Sequence, residues 1–513
     1  MFKNCFLQEL RQESYKVSCL FGMRICFYNS YLTGEGIDYS HPAFIGSDGR
    51  TRIVSIWDQT VEELRKGDHA PEYFDYGVEY TQEDINRALE SDNPLEIVPS
   101  RDIEGHGTFL AGVACGNEME AQGFSGVAPL AGICMVKCKQ AKQNLRDYYF
   151  INTSEPCYAE NDIMLAIRYL AKQASLLKMP LVVCLGMGTN QGGHNLGGIL
   201  GKLLADYGDY RGFFVAAAGG NEANASHHYL NAPISSESEV EVEVRVGGNE
   251  SGFTLELWAA TTELYSVGLI SPGGEYSGKT QARLGEKRQV NFLFEGTVVY
   301  IEYLLVSFEN GDECIRIRFQ NPSEGIWKIR VFNDTHYFGR FDMWLPMTNF
   351  LDADTYFLRA NPDTTICDPG NNPGIITFAF FDSMNRSVVI ESSRGFTREQ
   401  EIKPDIAAPG MNIYGTLPFA GNYPVGEEER DSRARYGIRS GSSESTAVAS
   451  GAIALLAEWA IVRGNDIAMD TQKAKKYLIR GADRSGITVP SREWGNGTLN
   501  LYSTFDWLRS PQA

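Results

Sequence analysis

Three short segments, far apart in the chain, carry residue types that could do chemistry. The first runs from Glu104 to Asn117 (EGHGTFLAGVACGN), with His106 between two glycines at the head of a small-residue run that predicts a helix. An imidazole there is free to reach a neighbour, and its ordinary pKa near working pH suits a general base. The second runs from Ser440 to Gly451 (SGSSESTAVASG), where a glycine and two serines enter an apolar helix. A serine at that entry has its hydroxyl at the positive end of the helix dipole and its own N–H aimed at a developing oxyanion. The third, Val215 to Glu222 (VAAAGGNE), puts Asn221 at the carboxyl end of a buried strand. That edge is where open α/β sheets place ligands, and the asparagine amide can donate to the same oxyanion. Base, nucleophile and amide donor are the parts of acyl transfer. Taken singly, each has a plainer reading: a helix-entry histidine, an N-cap serine, a turn asparagine.

The surrounding pattern says what must position them. Ile53 to Trp57, Ile133 to Lys137, Leu181 to Leu185 and Phe213 to Ala218 are short runs without a polar face, as buried parallel strands require. Ile163, Ile167, Leu170 and Leu177 recur at helical spacing behind a cap at Asn161 or Asp162, and Asn195 to Ala205 reads as another helix. Strand, helix, strand in succession predicts a parallel sheet between layers of helices, an α/β fold. From Glu239 the signal changes to strict alternation: Val240, Val242, Val244 and Val246, then Phe253, Leu255 and Leu257, then Ile315, Ile317 and Phe319, then Trp327, Ile329 and Val331. That is the period of half-exposed antiparallel strands. Residues 234–365 therefore predict an all-β sandwich inserted into an α/β domain made of 34–233 and 366–513. The α/β pattern resumes at Gly374 to Phe381 and in the long helix from Ser443 to Val462.

Composition narrows the function further. A length of 513 residues suggests two or three domains. With 46 basic against 65 acidic residues the net charge is -19, which argues against nucleic acid or anionic lipid as partner. No run of eighteen apolar residues is present, so no membrane span is expected. Met1 to Tyr28 is broken by charges and lacks the form of a secretory signal, so an intracellular location is expected. The ten cysteines are scattered and read as reduced. Cys134 with Cys138, or His227 with His228, lacks a second pair at zinc-site spacing, so neither a metal nor a cofactor is expected.

In their order and spacing the three segments resemble the subtilisin family of serine proteases, over nearly the whole chain after residue 34. Gly36 to Pro42 (GIDYSHP), Ser392 to Gly395 (SSRG) and Lys403 to Gly410 (KPDIAAPG) also match, and the distance from Ser443 to Gly451 selects Ser443 over Ser442 and Ser445 as nucleophile. Gly186, Met187 and Gly188 fall where the family's substrate-binding strand lies, glycine replacing its usual serine. The resemblance implies a subtilisin-like sheet between helices and an endopeptidase acting on a protein or peptide. In it Ser443 is the nucleophile, His106 the base and Asn221 an oxyanion donor. Arg52 to Thr60 (RIVSIWDQT), Gly188 to His194 (GTNQGGH), Asn221 to Tyr229 (NEANASHHY), Ala447 in place of a frequent proline, and the inserted sandwich are similar to the Csp-type germination proteases of clostridial spores. That similarity implies a jelly-roll-like insert, limited proteolysis of a zymogen such as a spore cortex-lytic enzyme, and, beside an intracellular location, a spore-associated one in a clostridial-type bacterium. Some members of that group are inactive and act by binding.

One departure stands out. Counting back from Asp38 in LTGEGID, the family's catalytic aspartate falls on Gly34, which has no carboxylate to orient an imidazole. In a subtilisin the loss of that aspartate alone lowers kcat about 3 × 10⁴-fold, roughly 6 kcal/mol. Glu35 and Asp38 lie outside the catalytic register. Upstream, Cys19 to Leu32 is not the valine- and isoleucine-rich strand that should deliver the aspartate, and 1–33 is an atypical segment whose prosegment is missing or short. A match that stops in mid-motif is expected from a frameshift or misplaced start, whereas a true pseudoprotease would lose single residues and keep the strand.

Overall fold

The computed structural model describes residues 36–152, 155–419 and 435–510, together with the backbone of 24–29. Leu181–Gly186 and Phe213–Ala218 are buried at every position and pair in parallel. Their alternate residues explain why no polar face exists. Val182, Cys184, Phe214 and Ala216 pack under helices His106–Cys115 and Ser442–Ala457. Val183, Leu185, Val215 and Ala217 pack under Glu160–Leu177 and Gly198–Gly208. The sheet runs Ser387–Val388, Ile376–Asp382, Phe213–Ala218, Leu181–Gly186, Arg24–Asn29, Gly132–Lys137, Ile53–Asp58, Val78–Thr81, with Ile406–Pro409 also joined to Ile376–Asp382. This is the subtilisin-like α/β arrangement that the sequence implies.

The centre of that sheet corrects one expectation. Arg24–Asn29 is a strand, parallel to Gly132–Lys137 on one side and to Leu181–Gly186 on the other. Without it, two interior strands would present unpaired backbone groups to a buried slot. An aromatic and β-branched hexapeptide fills such a slot without being rich in valine. Smaller corrections concern helix starts. Glu160–Leu177 begins after Ala159, and Asp162 instead accepts from the Tyr76 hydroxyl at 2.9 Å and pairs with Lys139 at 3.1 Å. Gly198–Gly208 starts three residues later than predicted because Gly197 holds a left-handed φ of 70°. Residues Ser442–Val462 are long and apolar enough to cross a membrane by length and composition, yet they form the central helix of the core, two-thirds buried.

Two antiparallel sheets interrupt the α/β domain. One is ordered Lys287–Phe292, Thr297–Leu304, Glu313–Gln320, Gly252–Ala259, Phe341–Trp344, His228–Leu230; the other Tyr265–Ile270, Gly325–Asn333, Glu239–Val246, Tyr356–Phe357. The alternating residues of the sequence form their shared core, including Phe253, Leu255, Ile315, Ile317, Trp327 and Ile329. His228–Leu230 joins the larger sheet from before residue 234. The opposite face of that sheet is not water-exposed as alternation predicts. Thr254, Glu256, Trp258 and Cys314 are buried against the α/β domain. The chain leaves the domain and returns at one point, where the Cys367 N–H donates to the Gly219 carbonyl at 2.9 Å.

The seam is closed by a ring stack. His194 lies on Trp344 at 4.0 Å between centroids, and His228 on Trp344 at 4.8 Å. His228 Nε2 meets Asp342 Oδ1 at 2.9 Å, while His227 Nδ1 meets Glu222 Oε2 at 3.0 Å, so the two adjacent histidines serve different partners. Cys134 and Cys138 are packed in the apolar layer under Glu160–Leu177.

Candidate active site

Gly441 enters the Ser442–Ala457 helix at φ 157°, ψ 178°, a conformation that only glycine takes readily, and a side chain there would press on the Glu444 carboxylate. The first N–H groups of the helix have no partner within it. Ser442 N–H donates to Asn221 Oδ1 at 3.0 Å. Because a backbone N–H can only donate, the atom it meets must be the amide oxygen. The Asn221 amide is thereby tied through its oxygen to the entry of the Ser443 helix, and its NH₂ is left as the donor. The Ser443 hydroxyl, itself buried, donates to the Gly186 carbonyl at 2.9 Å. Gly186 ends a core strand, so the serine is registered against the sheet.

His106 opens its helix after Gly105, whose φ is 74°. The entry is fixed by Asp102, which accepts from Gly105 N–H at 2.7 Å, Thr108 N–H at 2.7 Å and the Thr108 hydroxyl at 2.6 Å. The Gly36 carbonyl packs directly on Gly107 and leaves no room for a side chain there. This helix packs on the Ser443 helix. Burial, then the positive charge of nearby Arg439, pushes the His106 pKa down to about 3. Arg439 donates to the Glu104 carbonyl at 2.7 Å.

Of the acids near the expected aspartate, Asp38 is committed elsewhere. Its Oδ2 accepts from Phe419 N–H at 2.7 Å and its Oδ1 from the Ser40 hydroxyl at 2.6 Å. Gly34 and Glu35 lie outside the described residues. The backbone register nevertheless marks a position. Asn29, the last residue of the central strand, stands level with Gly186, whose carbonyl holds Ser443.

Gly186 meets Ser443, while Met187 and Gly188 run on to the wall of a cavity beneath the sandwich. Between Gly188 and Gly220 sits Cys367; a side chain on either glycine would collide with it. No local pattern signals this contact, nor the network behind Asn221. Glu222, 3% exposed, accepts from Asn190 Nδ2 at 3.1 Å and from the Thr348 hydroxyl at 3.0 Å, and meets His227. Its own N–H is held by Ser393 Oγ at 3.0 Å. The oxyanion loop is thus tied to the inserted sandwich through partners that local spacing cannot reveal.

Comparison with known proteins places the chain in a family. The model of the subtilase family matches residues 34–497. The CspB protease of Clostridium perfringens is 29% identical, covers 95% of this chain and 93% of its own, and superposes with a TM-score of 0.80. Sphericase is 14% identical over 94% of this chain and 92% of its own, with a TM-score of 0.43. Fervidolysin from Fervidobacterium pennivorans is 12% identical over 96% of this chain and 43% of its own, also at 0.43. None of the curated proteins matches the chain.

Proposed function

We propose, since the chain belongs to the subtilase family, that it is a serine endopeptidase performing limited proteolysis on a protein zymogen of the spore cortex-lytic kind. Ser443 attacks the peptide carbonyl, and His106 takes the serine proton. The Asn221 amide and the Ser443 N–H hold the oxyanion until the amine leaves and water releases the acyl group. The Asn221 contact supports this reading: the amide oxygen is pinned by Ser442 N–H at the entry of the Ser443 helix, which leaves the NH₂ to donate. A proton moving from Ser443 to His106 requires the hydroxyl to rotate off Gly186. A fluorophosphonate probe should label Ser443, and Ser443→Ala should remove the label; label that persists on Ser442 or Ser445 overturns the assignment.

A second reading, a catalytically weak protein that holds a partner in its cleft, is favoured by one observation. The strand that should deliver a carboxylate is kept, but it ends in Asn29, and Gly34 follows. Neither an asparagine nor a glycine carries the carboxylate that stabilises an imidazolium. The comparison that separates the readings is Asn29→Asp against the unmodified chain, with Ser443→Ala as blank, on a broad peptide pool. Activity confined to Asn29→Asp supports the weak protein; equal activity in both sinks it.

A further inference from the structure

A cavity of about 610 Å³ lies in the seam between the α/β domain and the inserted sandwich. That size is usual for a ligand site. Met187 and Gly188, directly after the residue that meets Ser443, form one wall, and Trp258, Leu304, Met347 and Phe350 make much of the rest apolar. Its charged lining is four carboxylates, Glu160, Glu256, Glu309 and Asp368, against the single guanidinium of Arg316. Arg316 is already paired with Glu256 at 3.0 Å. Glu160 Oε1 and Glu309 Oε2 converge: each lies within 4 Å of the point where a side chain on Gly198 would begin. The Glu309 carboxylate makes no hydrogen bond among the described residues; Lys202 donates to the Glu309 backbone carbonyl, and its charge, with that of Arg316, acts on the carboxylate from a distance.

Unsatisfied groups give a second, independent sign of an occupant. Among the described residues, the Thr254 hydroxyl, on a side chain with no exposed surface, has no hydrogen-bond partner, and neither has Gln191 Oε1. Both residues line the cavity. Buried polar atoms left in this state cost about 1–3 kcal/mol each unless something pairs with them.

We propose that this cavity binds a cation carried on an aliphatic stem, the lysine or arginine side chain of the polypeptide held in the cleft. The carboxylates select the charge, the apolar walls take the stem, and Thr254 and Gln191 offer acceptors to its N–H groups. An anionic or neutral side chain would leave the acids mutually repelling. Burial and mutual repulsion already raise Glu309, and they push Asp368 up to about 7. A bound cation relieves both. Only the source of the cation rests on the peptide-cleft reading; the cation itself does not.

The test uses the full chain carrying Ser443→Ala, so that loss of catalysis cannot affect it. n-Butylguanidinium, a single cation on an aliphatic stem, is titrated by calorimetry beside its neutral isostere n-butylurea. n-Butylguanidinium should bind, n-butylurea should not, and Glu309→Gln should weaken n-butylguanidinium at least about tenfold. Glu309→Lys should abolish binding while the thermal transition stays that of the parent. Equal binding of both probes, or indifference to Glu309, overturns the proposal. Neutral-background peptides with lysine or arginine at successive positions should displace n-butylguanidinium from one register. n-Butylguanidinium that binds but is never displaced assigns the pocket to a free small cation and overturns the polypeptide source.

Discussion

The serine half and the histidine half of the cleft are built to different standards. Around Ser443, every group has a fixed direction. The hydroxyl sits on Gly186, the Asn221 oxygen on Ser442 N–H, and the following Glu222 on three side chains. Around His106 the helix is equally well seated by Asp102, but the imidazole meets burial and an arginine charge, both of which disfavour its protonated form. On the proposed assignment, the groups that would polarise a carbonyl have fixed directions, while burial and the Arg439 charge weigh against a proton on His106.

The largest test of that contrast is Asn29→Asp. A carboxylate level with Gly186 should raise the rate of Ser443 labelling by about 10³–10⁴-fold, and by far more than Gly34→Asp. The reverse ranking would show that the strand register does not carry the orienting position. Next, Asn221→Ala should slow labelling about 10²–10³-fold, because a preorganised oxyanion donor has that value. An unchanged rate would mean that the serine half is no better built than the other. Glu222→Ala should lower stability by about 3 kcal/mol through donors left unpaired, with Glu222→Gln recovering part, read from thermal unfolding. The smallest effect is in pH dependence. With His106 held near 3, the base is already neutral at pH 5, so labelling should be flat in pH from 5 to 8. In Asn29→Asp the new negative charge favours the imidazolium and raises that pKa, so a fall in rate on the acid side should appear. An acid limb already present in the unmodified chain would break the comparison.

Local signals were readable in the sequence and distant ones were not. Phe213–Ala218 declared itself because both faces are covered, and His106, Asn221 and Ser443 because each sits in a short segment of unusual composition. Arg24–Asn29 escaped because a strand's place in a sheet comes from its neighbours' open hydrogen bonds, not from its own residues alone. Alternation found the sandwich core, yet it cannot tell water from a docked surface, so Thr254, Glu256 and Trp258 read as exposed. Glu222 and Cys367 depend on residues far along the chain, which no local pattern encodes.

The hydrogen bond from Cys367 to Gly219 has a consequence for how the chain folds. Phe213–Ala218 and Ile376–Asp382 are sheet neighbours, but the backbone between them is roughly 160 residues long, and loop-closure entropy grows with that length. A sandwich that collapses first brings its two ends together and reduces the closure to one of about ten residues. Four halvings of the loop at about 0.6 kcal/mol each lower the entropic barrier by about 2.4 kcal/mol, roughly sixtyfold in rate. An insert that forms early would therefore speed the meeting of the two halves of the α/β domain.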